Sequence, residues 1–197
     1  MQILRESVKH KIISRARDEF LRKGYKNSSM RVIAVSCDLT AGNLYKYFND
    51  KEDLFFAVIS PAYKEFKQFF IHHKHAKDPS YEHIHPETIK TMLDDVISIF
   101  ADYRKEFLII IDGSEGTRYE KARKDILNVV KGNLVFHLRN MKYFKSTDVN
   151  ILTEALSAGF MEGLLEIVRK ENDINKIKDL VLIYFMFFIK GFMGNPE

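Results

Sequence analysis

Apolar residues recur every three to four positions along most of the chain, which is the period of an amphipathic α-helix. The pattern and its capping residues predict helices over residues 7–23, 30–37, 41–48, 51–74, 86–103, 104–111, 117–141, 148–170 and 174–192. The larger C-terminal part carries no strand pattern. We therefore predict an all-α fold, in which Pro61 produces a kink or a break of its helix near Ser60.

The pattern between residues 29 and 53 predicts two short helices joined by a tight turn and followed at once by a third. The first of these helices carries an apolar stripe of Met30, Ile33, Ala34 and Cys37. Ser29, Thr40 and Asp50 each precede one helix, where their side chains can accept hydrogen bonds from free N–H groups of the first turn. This arrangement predicts a helix-turn-helix.

The second helix of this group has two different faces. The inward face consists of Ala41, Leu44 and Phe48, and the outward face of Gly42, Asn43 and Lys46, with Tyr45 and Tyr47 on the two edges. An outward glycine, amide and ammonium have little reason to be buried in protein. Such a face suits a helix in the major groove of DNA, where its centre meets base edges and its edges meet phosphates.

Charge supports the same interpretation. Residues 1–51 carry 11 Lys and Arg against 5 Asp and Glu, whereas residues 52–197 carry 20 against 22. A basic N-terminal part is typical of nucleic-acid binding restricted to one end of a protein. The N–H groups at the start of the third helix, together with Lys51, predict a phosphate site. The candidate DNA-binding residues are Ser29, Arg31, Thr40, Ala41, Gly42, Asn43, Tyr45, Lys46, Tyr47 and Lys51.

The sequence LTAGNLYKYFNDKEDLF resembles the helix-turn-helix signature of the TetR (tetracycline-repressor-like) family of bacterial transcriptional regulators. Upstream, IISRARDEFLRKGYKNSSMRVIA resembles the first helix of that family and its lead into the second. Asp38 departs from the usual glycine at the helix end, although Asp tolerates a left-handed conformation. The resemblance implies a DNA-binding domain in residues 1–50 and a ligand-binding and dimerisation domain in residues 51–197.

The last two predicted helices are candidates for a dimer interface. Ala155, Gly159 and Gly163 are four residues apart on the first, and the second is apolar around its whole circumference at LVLIYFMFFI. A helix of that kind must be covered on both sides. In the resembled family these helices pack as a dimeric four-helix bundle. The expected homodimer interface comprises Ala155, Gly159, Gly163, Tyr184 and Phe188, and the alternative is a central helix buried within a monomer.

The resemblance also implies a small-molecule pocket in the body. Aromatic residues and methionines recur on several of its helices, and most of them are explained as ordinary core. An apolar aromatic lining would suit a hydrophobic effector. The candidate effector-binding residues are Phe66, Phe69, Phe100, Tyr103, Phe107, Phe136 and Met161.

Residues 72–85 hold five of the seven histidines, so a metal site and a solvated loop are both open there. No cysteine or regular ligand spacing accompanies these histidines, which favours the loop.

The body lacks a glycine-rich phosphate loop, a metal-ligand motif and an acid/base pair, and we expect no cofactor and no enzymatic activity. The single cysteine suits a cytoplasmic protein, and the longest apolar run has ten residues, about half of what a membrane span needs.

The sequence therefore predicts a cytoplasmic homodimer that binds a double-stranded DNA operator and is not in a membrane. We expect a transcriptional regulator, most often a repressor, that a small hydrophobic effector releases from a palindromic operator. Two alternatives are an all-helical enzyme and a helical protein-interaction module without sequence-specific DNA binding.

Overall fold

The computed structural model describes residues 2–72, 86–140 and 149–193. Over these ranges the backbone forms helices and no strand, which confirms the predicted all-α class. The helices are α1 (Gln2–Asn27), α2 (Met30–Ser36), α3 (Ala41–Leu44), α4 (Lys51–His72), α5 (Pro86–Asp112), α6 (Ala122–Asn140), α7 (Val149–Lys170) and α8 (Ile174–Met193). Residues 73–85 of the predicted histidine-rich segment lie outside the described residues.

Two helices show how the sequence pattern relates to the backbone. Helix α5 has non-helical angles at Tyr103 (φ −130°, ψ 28°), where the sequence predicts that one helix ends and a short one follows. Helix α4 continues through Pro61 to His72, so a break there is wrong, while the alternative of a kink stays a prediction. Pro61 is exposed, whereas the neighbouring Ile59 and Ala62 are fully buried. The hydrogen bond that proline removes therefore lies on the solvent side, where water can satisfy the freed carbonyl.

The chain divides into two compact units. The first unit contains residues 1–67 and 103–123, and the second contains residues 68–102 and 124–197. The first unit thus combines the helix-turn-helix region with the start of α4 and the end of α5. The functional boundary predicted after residue 50 remains a prediction.

The first unit has a core in which α1 contributes one continuous apolar face. Its buried hydrophobic side chains are Ile12, Ala16, Phe20, Met30, Ile33, Ala34, Cys37, Leu44, Phe48, Leu54, Phe55, Val58, Ile59, Ala62, Phe107, Leu108, Ile109, Ile110, Ile111 and Tyr119. The ring of Phe55 on α4 lies edge-on to Phe20, with centroids 5.1 Å apart, and to Tyr25, at 5.2 Å. These aromatic contacts fasten α4 to the C-terminal end of α1.

A close backbone contact joins the end of α1 to the end of α5 within the first unit. Gly24 has φ 70° and ψ 169°, a conformation that is essentially restricted to glycine. A Cβ atom at Gly24 would lie 3.5 Å from the Cα of Gly113. The next N–H group, that of Tyr25, donates to the Gly113 carbonyl at 2.7 Å, and the Lys26 ammonium donates to Glu115 at 2.6 Å. The segment after α5 is therefore held directly against this corner of α1.

The second unit contains the α7–α8 pair. The hydroxyl of Tyr184 on α8 lies 3.0 Å from the Gly159 carbonyl and 3.2 Å from the Phe160 carbonyl on α7. Its ring stacks on Phe160 with centroids 5.7 Å apart. A Cβ atom at Gly163 would lie only 2.3 Å from the Tyr184 hydroxyl oxygen. Gly163 therefore makes room for a tyrosine of the same chain.

The backbone at Gly24 generates a stability prediction. We expect Gly24→Ala to lower the free energy of unfolding by about 1–3 kcal/mol, because alanine is strained at this combination of φ and ψ. Gly132→Ala on α6 is the control, since its added Cβ meets nothing within 4 Å. This control should raise the free energy of unfolding by about 0.5–1 kcal/mol. Urea unfolding followed by circular dichroism at one protein concentration measures both changes. A Gly24→Ala chain with the wild-type midpoint would contradict the prediction.

Candidate nucleic-acid interface

The turn between α2 and α3 has the left-handed residue that the helix-turn-helix interpretation requires. Asp38 has φ 61°, and the N–H of Leu39 donates to the Ala34 carbonyl at 3.0 Å, which closes the end of α2. The Lys11 ammonium donates to the Asp38 carboxylate at 2.7 Å. This hydrogen bond, together with the charge of Lys11, lowers the pKa of the Asp38 carboxyl. The turn is thereby tied to α1 through an exposed ion pair.

The three predicted caps have different outcomes. Thr40 accepts the Asn43 N–H on its hydroxyl at 3.2 Å, which confirms the predicted cap of α3. Asp50 accepts the Asp53 N–H at 2.7 Å, which confirms the cap of α4. Ser29 is in the capping position of α2 with extended backbone, but its side chain makes no capping hydrogen bond. The side-chain cap predicted for Ser29 is therefore wrong. Its carbonyl accepts the Ile33 N–H at 3.0 Å, as the carbonyl of a capping residue does with or without a side-chain cap.

Helix α3 is shorter than predicted and ends in a tighter turn. The sequence predicts a helix over 41–48, whereas the α-helix covers Ala41–Leu44. Beyond it, Lys46 and Tyr47 donate to carbonyls three residues earlier, and Phe48 donates to the carbonyl four residues earlier. The backbone therefore continues to coil as far as Phe48 in the tight form common at helix ends.

Burial separates the predicted inward and outward residues around α3. Leu44 and Phe48 are buried, and Ala41 is half-buried. The exposed candidates are Arg31, Thr40, Gly42, Asn43, Tyr45 and Lys46, while Ser29 and Tyr47 are half-buried. The polar groups of the predicted reading face are therefore at the surface, backed by the two buried apolar side chains.

The Lys51 side chain makes contacts within the chain that the sequence did not predict. Its ammonium donates to the carbonyl of Tyr25 at 2.8 Å and to the carbonyl of Ser28 at 3.1 Å. The same nitrogen lies 4.3 Å from the centroid of the Tyr25 ring, within cation–π distance. Lys51 thus contacts the corner between α1 and α2 within the chain, and its expected phosphate contact stays a prediction. Sequence reasoning missed Tyr25 as its partner, and the only local signal was an aromatic residue directly after the Gly24 helix break.

Several basic side chains of the first unit are exposed as well. Exposed cations in the first unit include Arg5, Lys11, Arg15, Arg31 and Lys46. Neutralising phosphates with such side chains releases counterions from DNA, which supplies most of the sequence-independent affinity. The surface of this unit is therefore suited to a polyanion.

The α7–α8 pair exposes an apolar surface when the chain is taken alone. Ala155 and Gly159 are exposed, and Tyr184 and Phe188 are half-buried. A Cβ atom at Gly159 would meet nothing within 4 Å, unlike one at Gly163. The most exposed of the large apolar side chains of α8 are Ile183, at 65% of its full accessibility, and Phe187, at 79%. Neither residue belongs to the expected dimer interface. The candidate dimer residues thus divide into an exposed group and a group packed within the chain.

The candidate effector-binding residues are divided between the two compact units. Phe66, Tyr103 and Phe107 belong to the first, and Phe69, Phe100 and Met161 to the second. Within the first unit the rings of Phe66 and Phe107 lie 4.8 Å apart. The side chain of Phe136 is outside the described residues. The assignment of all seven to an effector site stays a prediction.

Two further properties concern residues 2–72, 86–140 and 149–193 only. Within these ranges no helix is long and apolar enough to cross a membrane. In the same part of the chain, no three His, Cys, Asp or Glu side chains come together in a group that could hold a metal ion.

Comparison with known proteins adds to this geometry. Residues 12–58 match the family model described as bacterial regulatory proteins, tetR family. An HTH-type transcriptional regulator of Staphylococcus aureus (strain MRSA252) is 29% identical over 117 residues, which are 59% of this chain and 57% of that relative. The match thus spans little more than half the length of the relative.

Two solved structures share the fold. One is a TetR-like transcriptional regulator from Rhodococcus sp. RHA1, with 20% identity and a TM-score of 0.58 over 95% of this chain and 97% of that chain. The other is a transcriptional regulator from Aquifex aeolicus VF5, with 20% identity and a TM-score of 0.53 over 88% of this chain and 95% of that chain. At this identity the similarity is one of fold.

Proposed function

We propose that the chain is a DNA-binding transcriptional regulator of the tetR family of bacterial regulatory proteins, the family whose model matches residues 12–58. The observation that carries the proposal is the exposed polar face of α3 and the turn after it, with Asn43 and Lys46 at the surface and Leu44 and Phe48 buried. An amide and an ammonium in these positions can reach base edges in a major groove. The basic charge of residues 1–51 adds the attraction to phosphates that a DNA-binding surface requires.

The proposed contacts divide into two kinds. Asn43 and Lys46 contact bases, because they lie at the centre of the exposed face. Phosphate contacts come from Tyr45 and Tyr47 at its edges and from Arg31 on α2. A helical interaction module without DNA binding would leave this basic, polar face without a partner of matching charge.

We also propose that the regulator is a homodimer through α7 and α8. Exposed Ile183 and Phe187 on α8, together with exposed Ala155 and Gly159 on α7, support this arrangement because exposed large apolar side chains favour burial by association. A two-fold dimer presents two α3 faces to two half-sites about 34–36 Å apart, so its operator is palindromic.

The proposed regulation is release from that operator by a small hydrophobic effector, as for a repressor. Within the first unit, the rings of Phe66 and Phe107, whose centroids lie 4.8 Å apart, support an apolar lining. The effector must bind more tightly to the conformation in which the two α3 helices no longer match successive major grooves. A ligand with equal affinity for both conformations would change nothing.

The reading face generates the first functional prediction. A preferred double-stranded fragment is selected from a random-sequence pool by the wild-type chain. We expect Asn43→Ala to lose about 1–3 kcal/mol of discrimination at one base position of each half-site, because its bidentate hydrogen bond is gone. Electrophoretic mobility shifts with the selected fragment and its single-base variants measure this loss.

The control for this experiment is Asn172→Ala, since Asn172 is an exposed asparagine of the second unit. It should preserve discrimination at every position. If Asn43→Ala binds the selected and the random fragments in the wild-type ratio, Asn43 does not read a base. If the wild-type chain selects no fragment at all, the proposal of sequence-specific DNA binding is wrong.

The dimer generates a second prediction. We expect Gly159→Leu to fold and to separate the subunits, because the space around Gly159 is open within the chain and a dimer seam there would be overpacked. Gly132→Leu is the matched control, since Gly132 is equally open but lies on α6. Sedimentation velocity over a concentration series measures the dissociation constants. Wild-type dimer affinity in Gly159→Leu would place the seam elsewhere.

A further inference from the structure

A carboxylate lies at the surface in the turn that leads into the proposed reading face. Asp38 occupies this turn between α2 and α3, two residues before Thr40, which caps α3. The side chain of Asp38 keeps 87% of its full accessibility. DNA is a polyanion, so a negative charge beside a DNA-binding helix opposes binding unless a cation neutralises it.

The charge of Asp38 is neutralised by side chains of α1. The Lys11 ammonium donates to its carboxylate at 2.7 Å, and Arg15, one helical turn further along α1, adds an attraction at longer range. These interactions lower the pKa of the Asp38 carboxyl. The Lys11 side chain is itself 44% exposed. Lys11 is therefore a surface cation whose charge is already engaged within the chain.

The turn has backbone hydrogen bonds of its own. The Asp38 N–H donates to the Val35 carbonyl at 3.0 Å, and the next N–H donates to the Ala34 carbonyl at 3.0 Å. The φ of 61° at Asp38 suits asparagine and glycine as well. An exposed ion pair adds little stability, because water and salt screen it. The fold of the turn therefore does not require the charge of Asp38.

We propose that Asp38 limits the sequence-independent part of DNA binding, by holding the Lys11 ammonium within the chain and away from phosphates. The inference rests on the proposed DNA binding and deepens it. Without the carboxylate, the flexible stem of Lys11 lets its ammonium turn to a phosphate. Phosphate contacts carry no sequence information, so Asp38 lowers the affinity for every DNA sequence and leaves the base contacts of Asn43 and Lys46 unchanged.

The test compares the full wild-type chain with Asp38→Asn, Asp38→Gly, Lys11→Met and the double variant Asp38→Asn with Lys11→Met. The probes are the fragment selected by the wild-type chain and a scrambled duplex of the same length and composition. Each dissociation constant is measured over a series of KCl concentrations. Asp18→Asn is the matched control, because Asp18 also accepts from a lysine, Lys105 of α5, at 3.1 Å. It makes the same change of charge in the first unit.

We expect both Asp38 variants to steepen the dependence of log affinity on log salt by about one for each bound subunit, on both duplexes. At about 150 mM KCl this corresponds to roughly a fivefold gain in affinity for each bound subunit. The ratio of selected to scrambled affinity should stay at the wild-type value. In the Lys11→Met background, Asp38→Asn should lose most of this gain. Asp18→Asn should bind both duplexes as the wild-type chain does.

Four results with DNA would overturn the inference. An unchanged slope in both Asp38 variants would show that the carboxylate does not limit binding. An equal gain in the Lys11→Met background would show that Asp38 repels phosphates directly. An equal gain in Asp18→Asn would show that net charge alone matters. A changed ratio of selected to scrambled affinity would show that Asp38 positions the reading face instead.

The ion pair is also tested without DNA. In the free wild-type chain, NMR titration should give the Asp38 carboxyl a pKa below its ordinary value, and Lys11→Met should raise that pKa. An Asp38 pKa that Lys11→Met leaves unchanged would overturn the inference. If the wild-type chain binds neither duplex, the proposed function is wrong and the inference falls with it. Wild-type binding with an unchanged slope in the Asp38 variants overturns the inference alone.

Discussion

The backbone corner at the end of α1 is the constraint on which the rest of the first unit depends. Gly24 adopts a conformation that other residues avoid, and this lets the chain turn close to Gly113. The Tyr25 N–H and carbonyl then bond in different directions, to the end of α5 and to the start of α4. Tyr25 therefore joins α1, the end of α5 and the start of α4 through its own N–H and carbonyl groups. Substituting the Tyr25 side chain would leave these two main-chain groups in place.

Aromatic packing makes that corner rigid. The Phe55 ring meets both Phe20 and Tyr25 edge-on, and the face of Tyr25 also receives the Lys51 ammonium. Tyr25 is packed by apolar rings while its peptide groups remain hydrogen-bonded, so burial leaves no main-chain group unsatisfied there. The helix-turn-helix extends from this support, with Leu44 and Phe48 buried beneath it and its polar side chains left at the surface.

The second unit shows that residues on one sequence stripe can have separate roles. Gly159 and Gly163 are four residues apart on α7, yet one faces open space and the other accommodates the Tyr184 ring of the same chain. Tyr184 is held there by carbonyls of α7 and by stacking on Phe160. The apolar side chains that remain exposed, above all Ile183 and Phe187, are those available to a partner.

The sequence by itself determined the all-α class, the positions of most helices, the Tyr103 interruption and the caps at Thr40 and Asp50. These features follow from spacing and hydrogen bonding among residues close in the chain, and sequence patterns report that directly. Only the tertiary structure decided that α4 continues past Pro61, that Gly163 makes room for the Tyr184 ring of the same chain, and that the Lys51 side chain turns toward the end of α1. Each of these depends on which distant residues come into contact, and local periodicity contains no information about such contacts.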